Sequence, residues 1–314
     1  MNPSDGCVSF IINPGSGASS SKQVTHRFCC YLESKGFGVR LNYTRSLKNA
    51  AELGLESAVD PECGLVVAVG GDGTIREVAH GMEGAEKPLL LIPGGTENLL
   101  ANELGLDENF AVIARTFDAG FVRPLDMGRI NGRCFTSIAG FGFDGEVVQK
   151  VNAGRDGNID HFDYFWPLWS TFWTFRFKHF KVEIDGEIVF DDYGLVFVGN
   201  ISRYAVGLEI LKFADYSDGE LDVCIYKCSS RPGLFKHSLM TLLKSHAGGR
   251  DVIYRRGSKI VVSSRSSDVL SQVDGDPGPA LPAEIEMLSG AVNVMVPEKG
   301  HPAGIRSRIR RLFR

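Results

Sequence analysis

The sequence contains no Cys-x-x-Cys pair, no His-Glu-x-x-His and no Gly-x-x-x-x-Gly-Lys-Ser/Thr. Its seven cysteines are scattered, and Cys29 and Cys30 are simply adjacent. That excludes a disulfide framework and a zinc site of the usual spacing, and it fits a reduced, cytoplasmic chain. Long apolar runs are also missing. The nearest, Phe162 to Phe180, is broken by Asp163, Pro167, Arg176, Lys178 and His179, so a membrane span is excluded. Val8 to Ile12 is too short for a signal peptide and follows no basic segment. Excess positive charge is absent as well. A net charge of −4 excludes general nucleic-acid binding, which needs broad positive charge. The 314 residues are 43% hydrophobic and 23% charged, which is enough for a sizeable core in one large domain or two smaller ones.

The first part alternates strand and helix patterns. Strands are expected at Val8–Ile12, Val39–Tyr43, Leu65–Val69 and Leu89–Ile92. Helices are expected at Ser21–Ser34 and Leu47–Val59, then from Thr74 to about Met82, after Thr96 to about Leu104, and at Phe110–Phe117. This order predicts a parallel sheet covered by helices. Ligands of such sheets sit beyond the carboxyl ends of the strands. The pattern changes near Arg123-Pro124-Leu125-Asp126. Beyond it, strand patterns dominate: Cys134–Ile138, Lys181–Ile184, Glu187–Phe190, Gly194–Val198, Leu221–Tyr226, Lys259–Ser263 and Ala291–Val296. Asp185-Gly186 reads as a hairpin turn. Two helices are expected there, Tyr164–Phe175 and Pro232–Ser245. The α/β part should therefore be followed by a β-rich second domain. Phe165, Leu168, Trp169 and Phe172 recur at helical spacing. Core packing is the ordinary explanation, and a lipid-facing lip is the functional one.

Three segments carry chemistry. An apolar strand ends in Gly70-Gly71-Asp72-Gly73-Thr74, where a helix begins. Glycines let a backbone approach a ligand closely, and a helix N-terminus turns N–H groups toward negative charge. That suits a phosphate-bearing ligand. Asp72 would repel phosphate directly, so its presence calls for a cation or ordered water beside it. Asn13-Pro14-Gly15-Ser16-Gly17 and Pro93-Gly94-Gly95-Thr96-Glu97-Asn98 also follow strand ends. They offer an amide, hydroxyls and flexible backbone as two further walls of the same site. Read alone, each is a loop, with Thr96 as a helix cap. Asp274-Gly275-Asp276-Pro277-Gly278 and Asp218-Gly219 read alone are turns.

Together these segments resemble the soluble bacterial lipid kinases of the diacylglycerol kinase catalytic-domain family, related to sphingosine and ceramide kinases and more distantly to NAD kinases. Leu125-Asp126-Met127-Gly128, Gly140-Phe141-Gly142-Phe143-Asp144, Asp218-Gly219-Glu220-Leu221-Asp222 and Asp274-Gly275-Asp276 complete the match, which covers nearly the whole chain. The resemblance implies a nucleotide domain over 1–124, a β-sandwich-like acceptor domain over 125–300 and an active site in the cleft between them. The activity it implies is Mg²⁺-dependent transfer of the ATP γ-phosphate to a lipid hydroxyl, as part of phospholipid metabolism. Asn13, Gly15, Ser16, Thr44, Gly70, Gly71, Gly73, Thr74, Thr96, Asn98 and Asp276 would line the nucleotide. Asp72 and Asp126 would form a carboxylate network around magnesium, and Asp274 would be the general base. Asp215, Asp218 and Glu220 match a second, structural metal site. This division suits phosphoryl transfer, which needs positioning, charge neutralisation and a base near the acceptor.

Two departures stand out. Asn98-Leu99-Leu100-Ala101 replaces the common Asn-Asp-Phe-Ala, and Asp276 stands where Glu is usual. Two other functions fit the same residues: an NAD kinase-like transferase with a soluble acceptor, and an inactive lipid- or nucleotide-binding regulator. Residues 301–314 form a basic tail. As a helix it places Ile305, Ile309, Leu312 and Phe313 on one face, which suits transient contact with an anionic membrane.

Overall fold

The computed structural model describes residues 6–16, 19–153 and 165–298. The basic tail and Gly17 lie outside the described residues. The chain forms two compact units. The first runs to Pro124 and takes the chain up again from Val292; the second is Leu125–Ala291.

In the first unit the elements are β1 (Cys7–Ile12), α1 (Ser19–Ser34), β2 (Gly38–Tyr43), α2 (Leu47–Val59), β3 (Cys63–Gly70), α3 (Asp72–Gly81), β4 (Pro88–Pro93), α4 (Leu99–Glu103) and α5 (Phe110–Ala119). The strands pair in parallel in the order β4-β3-β1-β2. β3 is buried along nearly its whole length. That is why it reads as an unbroken apolar run and not as an alternation. β2, at the edge, is largely exposed. α2 and α3 cross closely, because a Cβ on Gly81 would sit 2.0 Å from the Ala51 carbonyl oxygen. This contact fixes α3, whose N-terminus carries the glycine turn.

The second unit begins within β5 (Val122–Ile130) and continues through β6 (Arg133–Phe135), β7 (Ile138–Phe141), α6 (Phe143–Ala153), α7 (Phe165–Thr174), β8 (Lys178–Ile184), β9 (Glu187–Gly199), β10 (Leu221–Lys227), α8 (Arg231–Leu242), β11 (Val252–Gly257), β12 (Lys259–Ser264), β13 (Ser271–Val273), β14 (Asp276–Pro277) and β15 (Ala283–Met295). Its pairings are antiparallel. β8 alternates buried and part-buried residues, as a sheet with one wet face requires. β9 changes partners midway. Glu187–Gly194 pair with β8, while Gly194–Gly199 lie against β10 on one side and β7 on the other. This bends the sheet around a core of Phe135, Phe141, Phe180, Val196, Val223 and Ile260.

Several elements differ from the sequence reading. β9 is one strand where two were expected. Cys134–Ile138 divides into β6 and β7, and Phe143–Ala153 is an unforeseen helix. β15 is longer than expected. Its end pairs in parallel with β4 through Asn293 and Val294, so the chain's last strand joins the first sheet. On α7, core packing holds for Phe172, whereas Leu168 and Trp169 are exposed. Among the described residues no helix is long and apolar enough to cross a membrane.

Candidate active site

In the first unit, four turns at the carboxyl ends of the parallel strands lock one another in place. Asn13, after β1, donates from Nδ2 to Thr74 Oγ1 at 3.0 Å. Its Oδ1 accepts the Gly15 N–H at 3.0 Å, and its carbonyl accepts the Ser16 hydroxyl at 2.9 Å. The Asn13–Ser16 turn is thereby tied to the first turn of α3. Thr44, buried after β2, donates its N–H to the Ile12 carbonyl at 2.8 Å. The Gly94 N–H reaches the Gly70 carbonyl at 2.8 Å. A Cβ on Gly95 would lie 2.7 Å from the Gly71 Cα, so these two turns meet backbone to backbone, which only glycine permits. Asp72 opens α3, two residues earlier than the sequence suggests, and its Oδ1 accepts the Leu100 N–H of α4 at 3.3 Å. The first N–H groups of a helix have no intrahelical partners. A cradle of glycine backbone and helix N-terminus therefore fits phosphate oxygens.

Asn98 adopts a left-handed backbone with φ 50°. Its side chain closes back on Gly95, accepting the N–H at 2.7 Å and donating to the carbonyl at 2.8 Å. It clamps the Gly94–Asn98 turn and occupies the N-cap position of α4, where Thr96 was a candidate. Asn tolerates this conformation better than most residues, which accounts for its identity here.

The second unit gathers the remaining acids. Asp126, on β5, is 2% exposed. Its Oδ2 accepts the Gly219 N–H at 2.7 Å and its Oδ1 the Gly290 N–H at 2.6 Å. Burial pushes its carboxyl upward, and the Gly290 and Gly219 N–H groups pull it back. Asp274, at the β13–β14 turn, also has a left-handed backbone with φ 50°. It accepts four hydrogen bonds: Ser137 N–H at 2.9 Å, Thr136 N–H at 3.0 Å, Ile138 N–H at 3.1 Å and the Thr136 hydroxyl at 3.4 Å. Asp276 pairs with Arg133 at 2.9 Å.

Two residues that sequence reasoning missed support these acids, and a further buried acid follows β7 closely in sequence. Asn200 is fully buried. It donates from Nδ2 to the Asp126 carbonyl at 2.5 Å and from its N–H to the Ser137 carbonyl at 2.9 Å. It thus couples Asp126 to the loop that cradles Asp274. Its only sequence signal is a polar residue closing an apolar strand. Gln272 accepts the Gly275 N–H at 2.9 Å and steadies the same turn. Asp144, at the start of α6, is buried behind Gly140, and the Tyr204 hydroxyl donates to it. Its place within a quoted motif was visible, but nothing in the motif marks it as buried.

Residues 8–130 match the diacylglycerol kinase catalytic domain, and residues 137–296 match the YegS C-terminal NAD kinase beta sandwich-like domain. A diacylglycerol kinase of Mycobacterium tuberculosis (strain ATCC 25618 / H37Rv) is 30% identical over 302 residues, covering 94% of this chain and 96% of the relative. The chain belongs to the diacylglycerol kinase family. A Bacillus subtilis (strain 168) diacylglycerol kinase is 28% identical over 293 residues, covering 92% of this chain and 96% of its own. The crystal structure of a diacylglycerol kinase from Bacillus anthracis str. Sterne shares the fold, with a TM-score of 0.69 at 22% identity over 95% of this chain and 97% of that one.

The family resemblance raises the question of a second cation at Asp215, Asp218 and Glu220. Asp215 Oδ1 accepts the Ser217 N–H and hydroxyl at 3.2 and 3.0 Å. Asp218 Oδ1 accepts the Glu220 N–H at 3.2 Å, while Glu220 itself is exposed. Arg256, on β11, bonds Asp218 at 3.1 Å, Asp222 at 3.3 Å and the Phe213 carbonyl at 2.6 Å. Burial pushes the Asp218 carboxyl up to about 6 against the pull of Arg256. The guanidinium already brings positive charge to this turn. The three residues therefore fit an ion poorly, and no chemical step is assigned to one there. Removing Arg256 should leave two acids uncompensated. Arg256→Leu is expected to cost about 2–4 kcal/mol in urea unfolding. A loss below about 0.5 kcal/mol, the size of a weak surface pair, would show that Arg256 carries no such role.

Asp144 yields a pH-dependent outcome. Burial pushes its carboxyl to about 6, with Tyr204 and then Gln272 pulling it back. Its folded value thus lies above that of the unfolded chain, near 4. Its contribution is full below about pH 4 and is lost as pH rises through about 6. Asp144→Asn should flatten stability between these limits and raise it, relative to the parent, by about 1–3 kcal/mol at pH 7. Denaturant titrations of both proteins at pH 4, 5, 6 and 7 measure the difference, and parallel profiles would contradict it.

Proposed function

We propose that this chain is an ATP-dependent lipid kinase that transfers the γ-phosphate to a hydroxyl of a lipid such as diacylglycerol or a sphingoid base. The reading rests above all on the backbone contact of the Gly70–Thr74 and Gly94–Asn98 turns, which presents an open cradle at a helix N-terminus. Asn13, Gly15, Ser16, Thr44, Gly70, Gly71, Gly73, Thr74 and Thr96 surround the nucleotide phosphates and ribose in this reading, with Asn98 as the clamp of its turn. Mg²⁺, when bound, neutralises charge on the transferring phosphates. Asp72 and Asp126 are oxygen donors suited to such a hard cation or its waters. Asp126 is held by two backbone N–H groups, which favours a contact through water.

Asp274 takes the proton of the acceptor hydroxyl. The hydroxyl oxygen then forms a bond to the γ-phosphorus, and the bond from phosphorus to the β–γ bridging oxygen breaks, releasing ADP. Three backbone N–H groups fix the direction of the Asp274 carboxylate. Its longest bond, from the Thr136 hydroxyl at 3.4 Å, is the one that an incoming hydroxyl displaces. The Asp276–Arg133 pair braces the far side of the turn. In a cell, this activity belongs at the membrane surface where such lipids reside, visited from the cytoplasm.

Incubation with γ-labelled ATP, Mg²⁺ and a panel of diacylglycerol, sphingoid base, ceramide, phosphatidylglycerol and NAD tests the reading. Label in a lipid is the expected product. Label in NAD alone, or in nothing, would overturn it. Asp274→Asn should lower kcat by on the order of 10²–10⁴-fold, the usual contribution of a general base. The new amide would also face N–H donors, costing about 1–3 kcal/mol of stability, so melting and ATP affinity are measured alongside. A kcat within threefold of the parent, on the order of experimental scatter, would remove Asp274 from this role.

A further inference from the structure

α7 and α8 each bury one stripe and expose another. Phe172 of α7 and Leu234 of α8 pack on the same core cluster, with Tyr226, Phe197 and Phe175. The two helices meet at their ends, where Arg231 Nη2 donates to the Trp173 carbonyl at 2.6 Å. Each helix turns its outer stripe away from that shared cluster. On α7 that stripe is Trp166, Trp169 and Trp173, 70%, 50% and 53% exposed. On α8 it is Phe235, Leu239 and Leu242, 63%, 46% and 65% exposed and spaced at i, i+4 and i+7. Helical residues at these spacings share a face. Large aromatic and aliphatic side chains concentrated on two adjacent helices are not ordinary surface scatter.

Charge decides what covers them. Residues 165–182 contain no Asp or Glu; of their three basic residues Arg176 is exposed, Lys181 lies 3.8 Å from Glu183, and Lys178 is buried against Asp268 at 2.7 Å. Residues 227–250 contain Lys227, Arg231, Lys236, Lys244 and Arg250, again with no acid. Lys236 and Lys244 pair at the surface with Asp251 and Glu209. Such exposed pairs are weak and exchange readily for other anions. Tryptophan favours the boundary between water and acyl chains, where its ring is buried and its N–H stays wet. We propose that the α7–α8 face is a membrane-docking surface that inserts its aromatic and aliphatic side chains into an anionic bilayer. The proposal deepens the lipid-kinase reading and rests on it for its physiological setting. It gives an enzyme of this kind a way to reach a hydroxyl that never leaves the membrane.

The chain has three tryptophans, and all of them lie on α7, so their emission reports on this face alone. The full-length protein is mixed, without ATP, with vesicles of phosphatidylglycerol and phosphatidylcholine, or of phosphatidylcholine only. Anionic vesicles should shift the emission to the blue, brominated acyl chains should quench it, and salt should reverse both effects. Phe235→Ser with Leu239→Ser leaves every tryptophan in place. It should weaken partitioning by about tenfold or more, with the melting temperature and activity on a short-chain, water-soluble diacylglycerol preserved. Unshifted tryptophans would overturn the proposal even if the protein sediments with vesicles, since the contact would then lie elsewhere, as on the 301–314 tail. Equal partitioning onto neutral vesicles, or a shift that tracks protein concentration without lipid, would overturn it too. The latter would mark the face as a contact between copies. No activity on the soluble acceptor in the parent would sink the lipid-kinase reading instead, leaving the fluorescence to judge the surface by itself.

Discussion

Two glycine turns touch backbone to backbone, and the half of the site proposed for the nucleotide depends on that contact. With any Cβ at Gly95, the Gly94–Asn98 turn must move away from Gly71. The Gly94–Gly70 hydrogen bond would stretch with it, and Asp72 would lose its register with the first turn of α4. The contact also explains why the parallel sheet ends where it does. β3 and β4 deliver their turns side by side, and the close crossing of α2 on α3 holds the helix behind them. A close backbone contact at a helix N-terminus is a stiff feature, and positioning is what phosphoryl transfer needs.

The second unit solves a different problem, namely how to hold acids in place away from bulk water. Asp126 and Asp274 are each pinned by backbone N–H groups, and Asn200 links the two cradles through buried bonds. Asp218 and Asp222 are met by Arg256. These four acids are each answered by donors supplied by the fold, which offsets part of the cost of burying them.

Much of this was legible in the sequence because the informative residues are local. The first sheet announces itself through short apolar runs, each ending in a glycine-rich turn. The turns hold their own polar groups, so Asn13 and Thr74 could be named before their bond was seen. What stayed hidden depends on distant partners. Nothing beside Asn200 shows that it bridges residues 126 and 137, and Arg256 meets Asp218 only once β10 and β11 have paired. β15 was foreseen only at its end, although Ala283, Glu284, Ile285 and Glu286 already alternate as a strand with one wet face does. The tryptophans of α7 follow the spacing of a buried stripe, and periodicity cannot say which side of an apolar helix faces the core.

The proposed chemistry requires the nucleotide to bind at the glycine turns. Amide hydrogen exchange of the full-length protein, with and without ATP and Mg²⁺, measures it directly. The expected result is slowed exchange confined in the first unit to peptides spanning 13–16, 70–75 and 94–98. Binding of ATP with no protection at 70–75, or protection centred elsewhere, would contradict the account.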